Sequence, residues 1–183
     1  MKFETLAIHA GRAPDPATGA LREPIHLSTT FERGADGSYP QGYFYSRSGN
    51  PNRTALERAV AALEGGGKAV AFASGSAATL AVFSLAAAGG RVVCSSDCYH
   101  GTAKQLREML PRWGGTAEFV DTTDLDVVRR ALEPGAALLW VETPSNPLLR
   151  VSELSALAGL ARSGGALLGC DNTFASPVLQ QPF

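Results

Sequence analysis

Residues 137–150 read ALLWVETPSNPLLR. Five apolar residues run without a polar break until Glu142, and a stiff turn held between Pro144 and Pro147 follows. A strand with one wet face alternates apolar and polar side chains, whereas a strand covered on both faces reads as a continuous apolar run. The same pattern recurs as AVAFAS (69–74), RVVCSS (91–96), AEFVD (117–121) and ALLGCD (166–171). Helix-like stretches near 76–88, 101–112, 124–132 and 152–163 separate these runs. Such alternation predicts an α/β fold: a mostly parallel sheet with flanking helices.

Upstream, RTALERAVAALEGG (53–66) sets Leu56, Val60 and Leu63 on one face and stops at glycines, which predicts a helix. Residues 1–52 are rich in Gly, Pro, Ser and Thr, show no sustained period, and read as an extended arm. The expected organisation is this N-terminal arm, reaching away from the core, and an α/β domain over 53–183.

The chain has 183 residues, 45% hydrophobic and 18% charged, with a formal net charge of -1. That balance lacks the basic excess of a nucleic-acid binder and favours a small-molecule partner. No run approaches the roughly 18–20 apolar residues that span a bilayer, and the N-terminus lacks a signal-peptide core. The expectation is a cytoplasmic protein with no membrane partner. Three cysteines, Cys94, Cys98 and Cys170, fit no zinc framework and read as buried or free thiols, so no metal is expected. There are only three lysines, Lys2, Lys68 and Lys104.

In a parallel sheet, ligands bind beyond the carboxyl ends of the strands, so the polar residues there form a set. Ser74, Gly75 and Ser76 stand where a helix begins; their backbone N–H groups suit a phosphate, although Ser74 or Ser76 would also serve as a plain cap. Nucleotide fingerprints are missing: there is no GxGxxG, and GGGKA (65–69) departs from a P-loop. Tyr99 follows the run at 91–96 and either packs or stacks on a planar ligand. Glu142 closes the apolar run at 137–141, and Ser145 and Asn146 lie in the turn between Pro144 and Pro147. Asp171 either caps the next helix or faces a protonated ring nitrogen. Taken together, these groups suit a flat ligand with a phosphate on one side and a basic nitrogen on another, the layout of pyridoxal 5'-phosphate (PLP).

HLSTTF (26–31), YSRSGNPNR (45–53), ASGSAA (73–78), DCYHGT (97–102), ETPSNPLLRV (142–151) and DNTFASPVLQ (171–180) occur in that order. The ordered set resembles the trans-sulfuration, or Cys/Met metabolism, family of PLP enzymes, which includes cystathionine gamma-synthases and lyases. The resemblance implies the large domain of a fold type I, aminotransferase-like enzyme in dimer-based homo-oligomers, acting on amino-acid substrates. It implies that Gly75 and Ser76 hold the phosphate through backbone N–H groups. Tyr99 stacks on the pyridine ring as the catalytic aromatic, and Asp171 pairs with the pyridinium nitrogen. Asn146 is expected near the ring hydroxyl and Thr173 beside Asp171. Tyr45 and Arg47 are expected to grip the phosphate in a neighbouring subunit.

Two departures stand out. Ser76 replaces a frequent methionine, and His100 replaces the first glycine of Tyr-Gly-Gly. His9, His26 and His100 otherwise read as surface or hydrogen-bonding residues. None of the three lysines matches the family's cofactor-bearing position, which lies beyond the DNTF stretch. The expectation is therefore a truncated, N-terminal portion that is inactive alone and exposes apolar sheet edges. A non-catalytic fragment pairing with a full-length relative is the alternative, with a nucleotide-binding α/β domain behind it.

Overall fold

A computed structural model of the chain describes residues 2–86 and 89–183. The chain divides into two compact units, Met1–Ala71 with Phe183, and Phe72–Pro182. In the first, α1 (Phe3–His9) and α2 (Pro51–Glu64) flank a largely irregular stretch with one antiparallel bridge, Thr30 to Tyr45. The start of α2 is written locally: Pro51 sits where no N–H partner is needed, and the Asn50 side chain accepts from Asn52 N–H at 2.8 Å. Gly65, at φ 71°, ends it in the left-handed region. The helix at Phe3–His9 corrects the expectation of an arm without helical structure; none of its residues is buried, so it leaves no clear apolar period to read.

The second unit holds four parallel strands, β1 (Arg91–Ser95), β2 (Thr116–Val120), β3 (Leu138–Glu142) and β4 (Leu167–Asp171), in the order β2-β1-β3-β4. Around them lie α3 (Gly75–Ala86), α4 (His100–Glu108) with a 3-10 turn at Leu110–Trp113, α5 (Leu125–Leu132), α6 (Leu154–Ser163) and the short α7 (Ser176–Leu179). The end of the helix expected near 76–88 falls partly on residues 87 and 88, outside the described residues.

The apolar runs explain the layering. Val92, Cys94, Leu138 and Trp140 face one way and pack with Phe83, Leu106 and Leu110 beneath α3 and α4. Their neighbours Val93, Leu139 and Val141 face the other way and pack with Val128, Leu132 and Leu157 from α5 and α6. Period-two side chains on a doubly covered sheet require apolar residues at every position. β3 accordingly is buried throughout, while the outer strands β2 and β4 are only partly covered. Each fully buried Val or Leu contributes roughly 1.5–3 kcal/mol.

One expected strand does not form. AVAFAS at 69–74 joins no sheet among the described residues; the Ala71 N–H donates to the Glu57 carboxylate at 2.9 Å, and Val70 and Phe72 are exposed. An apolar run becomes a strand only where a neighbour takes its backbone hydrogen bonds, and none does so here.

Candidate active site

From β1 the chain crosses to β2 on one side, and its next strand, β3, lies on the other side of β1. The loops leaving β1 and β3 therefore diverge, and a crevice opens beyond the carboxyl ends of the strands. A cleft of about 390 Å³ lies there, lined by the start of α3, the loop after β1, the turn after β3 and the end of β4.

At the start of α3, the Ser74 hydroxyl accepts from Ala77 N–H at 3.2 Å, a capping contact. The N–H groups of Gly75 and Ser76 then have no acceptor among the described residues, since a helix's first amides have none within it. Gln105 of α4 braces this turn, donating to the Ser76 carbonyl at 2.8 Å, and Thr79 donates to Gln105 Oε1 at 2.9 Å. The capping and free-amide readings of this stretch hold together: Ser74 caps, and the next two amides are left open.

Tyr99 stands between β1 and α4, and its N–H donates to Glu142 Oε2 at 2.6 Å. Its ring meets His100 edge-on, with centroids 5.5 Å apart at 82°, and lies against Gly101. At 43% exposure the ring is not consumed by packing and forms part of the cleft wall.

The turn after β3 is pinned from several sides. Ser145 donates to Asp97 Oδ2 at 2.5 Å and accepts from Arg150 N–H at 3.1 Å. The Arg150 guanidinium in turn reaches Asp121 and Thr123, each at 2.6 Å. Beneath it runs a buried hydroxyl ladder: Ser95 meets Thr122 at 3.0 Å, Thr122 meets Ser152 at 2.8 Å, and Ser152 N–H donates to the Thr143 hydroxyl at 3.0 Å. The ladder ties the ends of β1, β2 and β3 together and so fixes Asn146 at the cleft.

Asp171 ends β4. Its Oδ1 accepts from the N–H of Thr173 at 3.1 Å and from its hydroxyl at 2.5 Å, while Oδ2 has no donor among the described residues. Asp171 thus caps a turn with one oxygen and presents the other. Gln180 locks the following segment back, donating to the Thr143 carbonyl and to Asn172, both at 2.8 Å.

Six of the residues singled out from sequence, Gly75, Ser76, Tyr99, Asn146, Asp171 and Thr173, line this one cleft. Tyr45 and Arg47 lie in the first unit, where the Arg47 guanidinium sits 4.8 Å above the Tyr45 ring, and neither lines the cleft. Lys2, Lys68 and Lys104 are exposed and also do not line it. Sequence reasoning quoted Glu142 without giving it a place in the site. It is only 5% exposed, and burial pushes its carboxyl up to about 7; the charges of Asp171 and Asp97 add to this, and the N–H groups of Tyr99 and Asn146 oppose it. The signal that could have found Glu142 was the one that found Asp171: an acid closing an apolar strand. Thr79 and Phe174 also line the cleft and carried no such signal.

Fold and cleft together define a ligand-binding α/β domain of the fold type I class. The chain belongs to the family of Cys/Met metabolism PLP-dependent enzymes, which matches residues 4–183. It is 46% identical over 179 residues to the cystathionine gamma-synthase of Mycobacterium tuberculosis, covering 97% of this chain and 46% of that relative. To the cystathionine gamma-lyase of Homo sapiens it is 43% identical over 182 residues, covering 98% and 45%. It superposes on the crystal structure of metB from Corynebacterium glutamicum with a TM-score of 0.95 at 43% identity, covering 100% of this chain and 48% of that one. The cystathionine gamma-lyase of Lactobacillus plantarum, solved with L-serine, gives 0.93 at 44% identity, with 100% and 47% covered. The chain spans about half the length of these relatives. PLP is the family's cofactor, and the residues lining the cleft suit it: amides without an acceptor for an anion, a carboxylate oxygen without a donor for a protonated nitrogen, and an aromatic ring.

Proposed function

We propose that this chain is the cofactor-binding portion of a PLP-dependent trans-sulfuration enzyme, one that carries out β- or γ-elimination or replacement on sulfur-containing or O-acylated amino acids. The observation that carries the reading is the convergence of Gly75, Ser76, Tyr99, Asn146, Asp171 and Thr173 on one cleft at the strand ends. In this reading the amides of Gly75 and Ser76 hold the phosphate, and the ring of Tyr99 stacks on the pyridine and keeps water from that face. Asp171 Oδ2 holds a proton on the ring nitrogen, with Thr173 fixing the carboxylate's orientation. Asn146 faces the ring hydroxyl. The bound cofactor supplies a protonated pyridine ring that withdraws charge from a substrate's α-carbon. Tyr45 and Arg47 serve the phosphate of a neighbouring subunit, Arg47 by a bidentate fork, in a cytoplasmic, dimer-based homo-oligomer.

In this reading none of the three lysines takes the family's cofactor-bearing position, and Lys104, in the same unit as the cleft, is exposed and does not line it, so this chain holds the cofactor by non-covalent contacts and is inactive or nearly so by itself. Titration of the purified chain with PLP, followed by absorbance and tyrosine fluorescence, tests the reading. Saturable binding that Asp171→Ala weakens supports it; no binding, or production of keto acid or sulfide by the isolated chain, overturns it. A second reading, a non-catalytic partner for a full-length relative, is favoured by the exposed side of β4, where Leu167 is 62% exposed at a sheet edge. Absence of co-elution with such a relative in size-exclusion chromatography would sink it.

A further inference from the structure

Cys94 lies in β1, and Cys98 lies in the loop that leads into α4, directly before Tyr99. Their sulfurs are 3.6 Å apart, with Cys94 0% and Cys98 7% exposed. Both belong to the core beneath α3 and α4, and neither has a part in the function proposed above. A free cysteine packs well as a small apolar side chain, but packing alone gives no reason for two sulfurs to meet across a turn.

A disulfide needs an S–S distance of about 2.0 Å, so the pair must close by about 1.5 Å. Cys94 cannot easily supply that movement, because its strand pairs on both sides, with Phe119 of β2 and Trp140 of β3 opposite. The shift therefore falls on Cys98 and on its neighbour Tyr99, whose N–H reaches Glu142 at 2.6 Å.

We infer that Cys94 and Cys98 form an oxidisable dithiol, a modification site for hydroperoxides, and that closing it pulls the Tyr99 backbone off Glu142. That Tyr99 is part of a cofactor site rests on the function proposed above; the dithiol and its coupling to the Tyr99 N–H do not. Cys98 is the attacking group, being the less buried of the two. The hydrogen bond from the Cys94 S–H lowers the Cys98 thiol, and the same bond, with burial, raises Cys94 well above the usual thiol range. The charge of Glu142 raises both thiols and that of Arg107 lowers both.

The Cys98 thiolate attacks one oxygen of hydrogen peroxide, so that an S–O bond forms and the O–O bond breaks. The departing hydroxide takes up the proton that Cys98 gave, leaving as water. The Cys94 sulfur then attacks the Cys98 sulfur, the S–S bond forms, the S–O bond breaks, and the second hydroxide leaves with the Cys94 proton as water. Two thiols are oxidised and one peroxide is reduced; a dithiol reductant reverses the change by exchange.

Trypsin cleaves after Arg91 and Lys104, which leaves both cysteines on the single peptide 92–104. The chain is treated with hydrogen peroxide in its folded state, alkylated, digested and weighed, and amide exchange at Tyr99 is followed in parallel. The expected peptide is lighter by two hydrogens, carries no alkyl group, and returns to the dithiol form with dithiothreitol. Tyr99 N–H exchange rises at least roughly tenfold on oxidation as its bond to Glu142 opens. Cys98→Ser and Cys94→Ala each abolish both effects. A peptide alkylated at both cysteines, or one carrying sulfinic acid instead of the disulfide, overturns the dithiol. A disulfide with unchanged exchange at Tyr99 overturns the coupling. Both readouts are independent of PLP, so a failure to bind the cofactor would count against the proposed function alone.

Discussion

Replacing Gly101 by alanine separates what the aromatic wall does for the cleft from what it does for the fold. A Cβ at Gly101 would stand 2.5 Å from Tyr99 Cε1, 3.1 Å from Cδ1 and 3.2 Å from Cζ. Carbon atoms settle at about 3.5–4.0 Å, so the ring must retreat by about 1 Å. It can do so at small cost, because it is 43% exposed and forms part of the cleft wall. Alanine is also the better helix former, by up to about 1 kcal/mol, and Gly101 lies in the first turn of α4. Stability should therefore hold or rise slightly. Ring stacking is worth about 0.5–1.5 kcal/mol, so PLP affinity should fall roughly 2- to 12-fold. Urea unfolding followed by circular dichroism gives the first quantity, and PLP titration the second. Tyr99→Ala should lose as much affinity, and the double variant little more. Wild-type affinity in Gly101→Ala at unchanged stability would refute the reasoning. So would a stability loss above about 2 kcal/mol, which would mean that the helix yields rather than the ring.

Asp171→Ala removes a cleft-lining carboxylate whose Oδ2 has no donor among the described residues; losing a charged hydrogen bond of about 1.5–3 kcal/mol should weaken PLP roughly 10- to 150-fold, and an unchanged titration would remove Asp171 from the site. Glu142 is held up at about 7 against an ordinary 4.5, so the stability it contributes is fully present below about pH 4.5 and lost as pH rises through 7. Glu142→Gln, which keeps an acceptor for the Tyr99 N–H, should gain on the wild type by up to about 3 kcal/mol between those limits, and a pH-independent difference in urea midpoints would contradict the assignment. Gly169→Ala drives a Cβ to 2.6 Å from Trp140 Cε3 inside the β3–β4 pair. Trp140 is buried and braced edge-on by Phe83 at 5.1 Å, so it cannot yield; a loss of about 1–3 kcal/mol in thermal or urea unfolding is expected, and none would mean that the strands separate freely.

Where the chemistry of an element is local, it could be read from the sequence. The runs ending at Ser95, Val120, Glu142 and Asp171 declared a doubly covered sheet because each face of such a strand must be apolar. Asn50, Pro51 and Gly65 carried the ends of α2 in their own side chains and backbone freedom. Residues 69–74 had the same apolar look and formed no strand, because pairing is a property of neighbours rather than of a segment. The helix at Phe3–His9 buries nothing and so left no periodic trace. In the cleft, Tyr99 and Asp171 could be picked out because polar groups at strand ends are conspicuous after apolar runs. The register that brings Glu142 under Tyr99 depends on β1 and β3 lying side by side, a long-range fact that no local pattern states.

That juxtaposition organises the site. Glu142 accepts the N–H groups of both Tyr99 and Asn146, and its own N–H donates to Ser95 at the head of the buried hydroxyl ladder. One buried acid thus fixes the aromatic wall and the rigid turn relative to the sheet. Asp171, opposite it across the β3–β4 pair, carries a negative charge that helps to hold a proton on Glu142. Two carboxylates at adjacent strand ends are thereby made unlike: burial holds Glu142 towards its uncharged form as a structural acceptor, while Asp171 lines the cleft with its Oδ1 held by Thr173. A cationic ring nitrogen entering the cleft would then meet an Asp171 carboxylate whose orientation Thr173 fixes, beside a buried acid already occupied by backbone N–H groups.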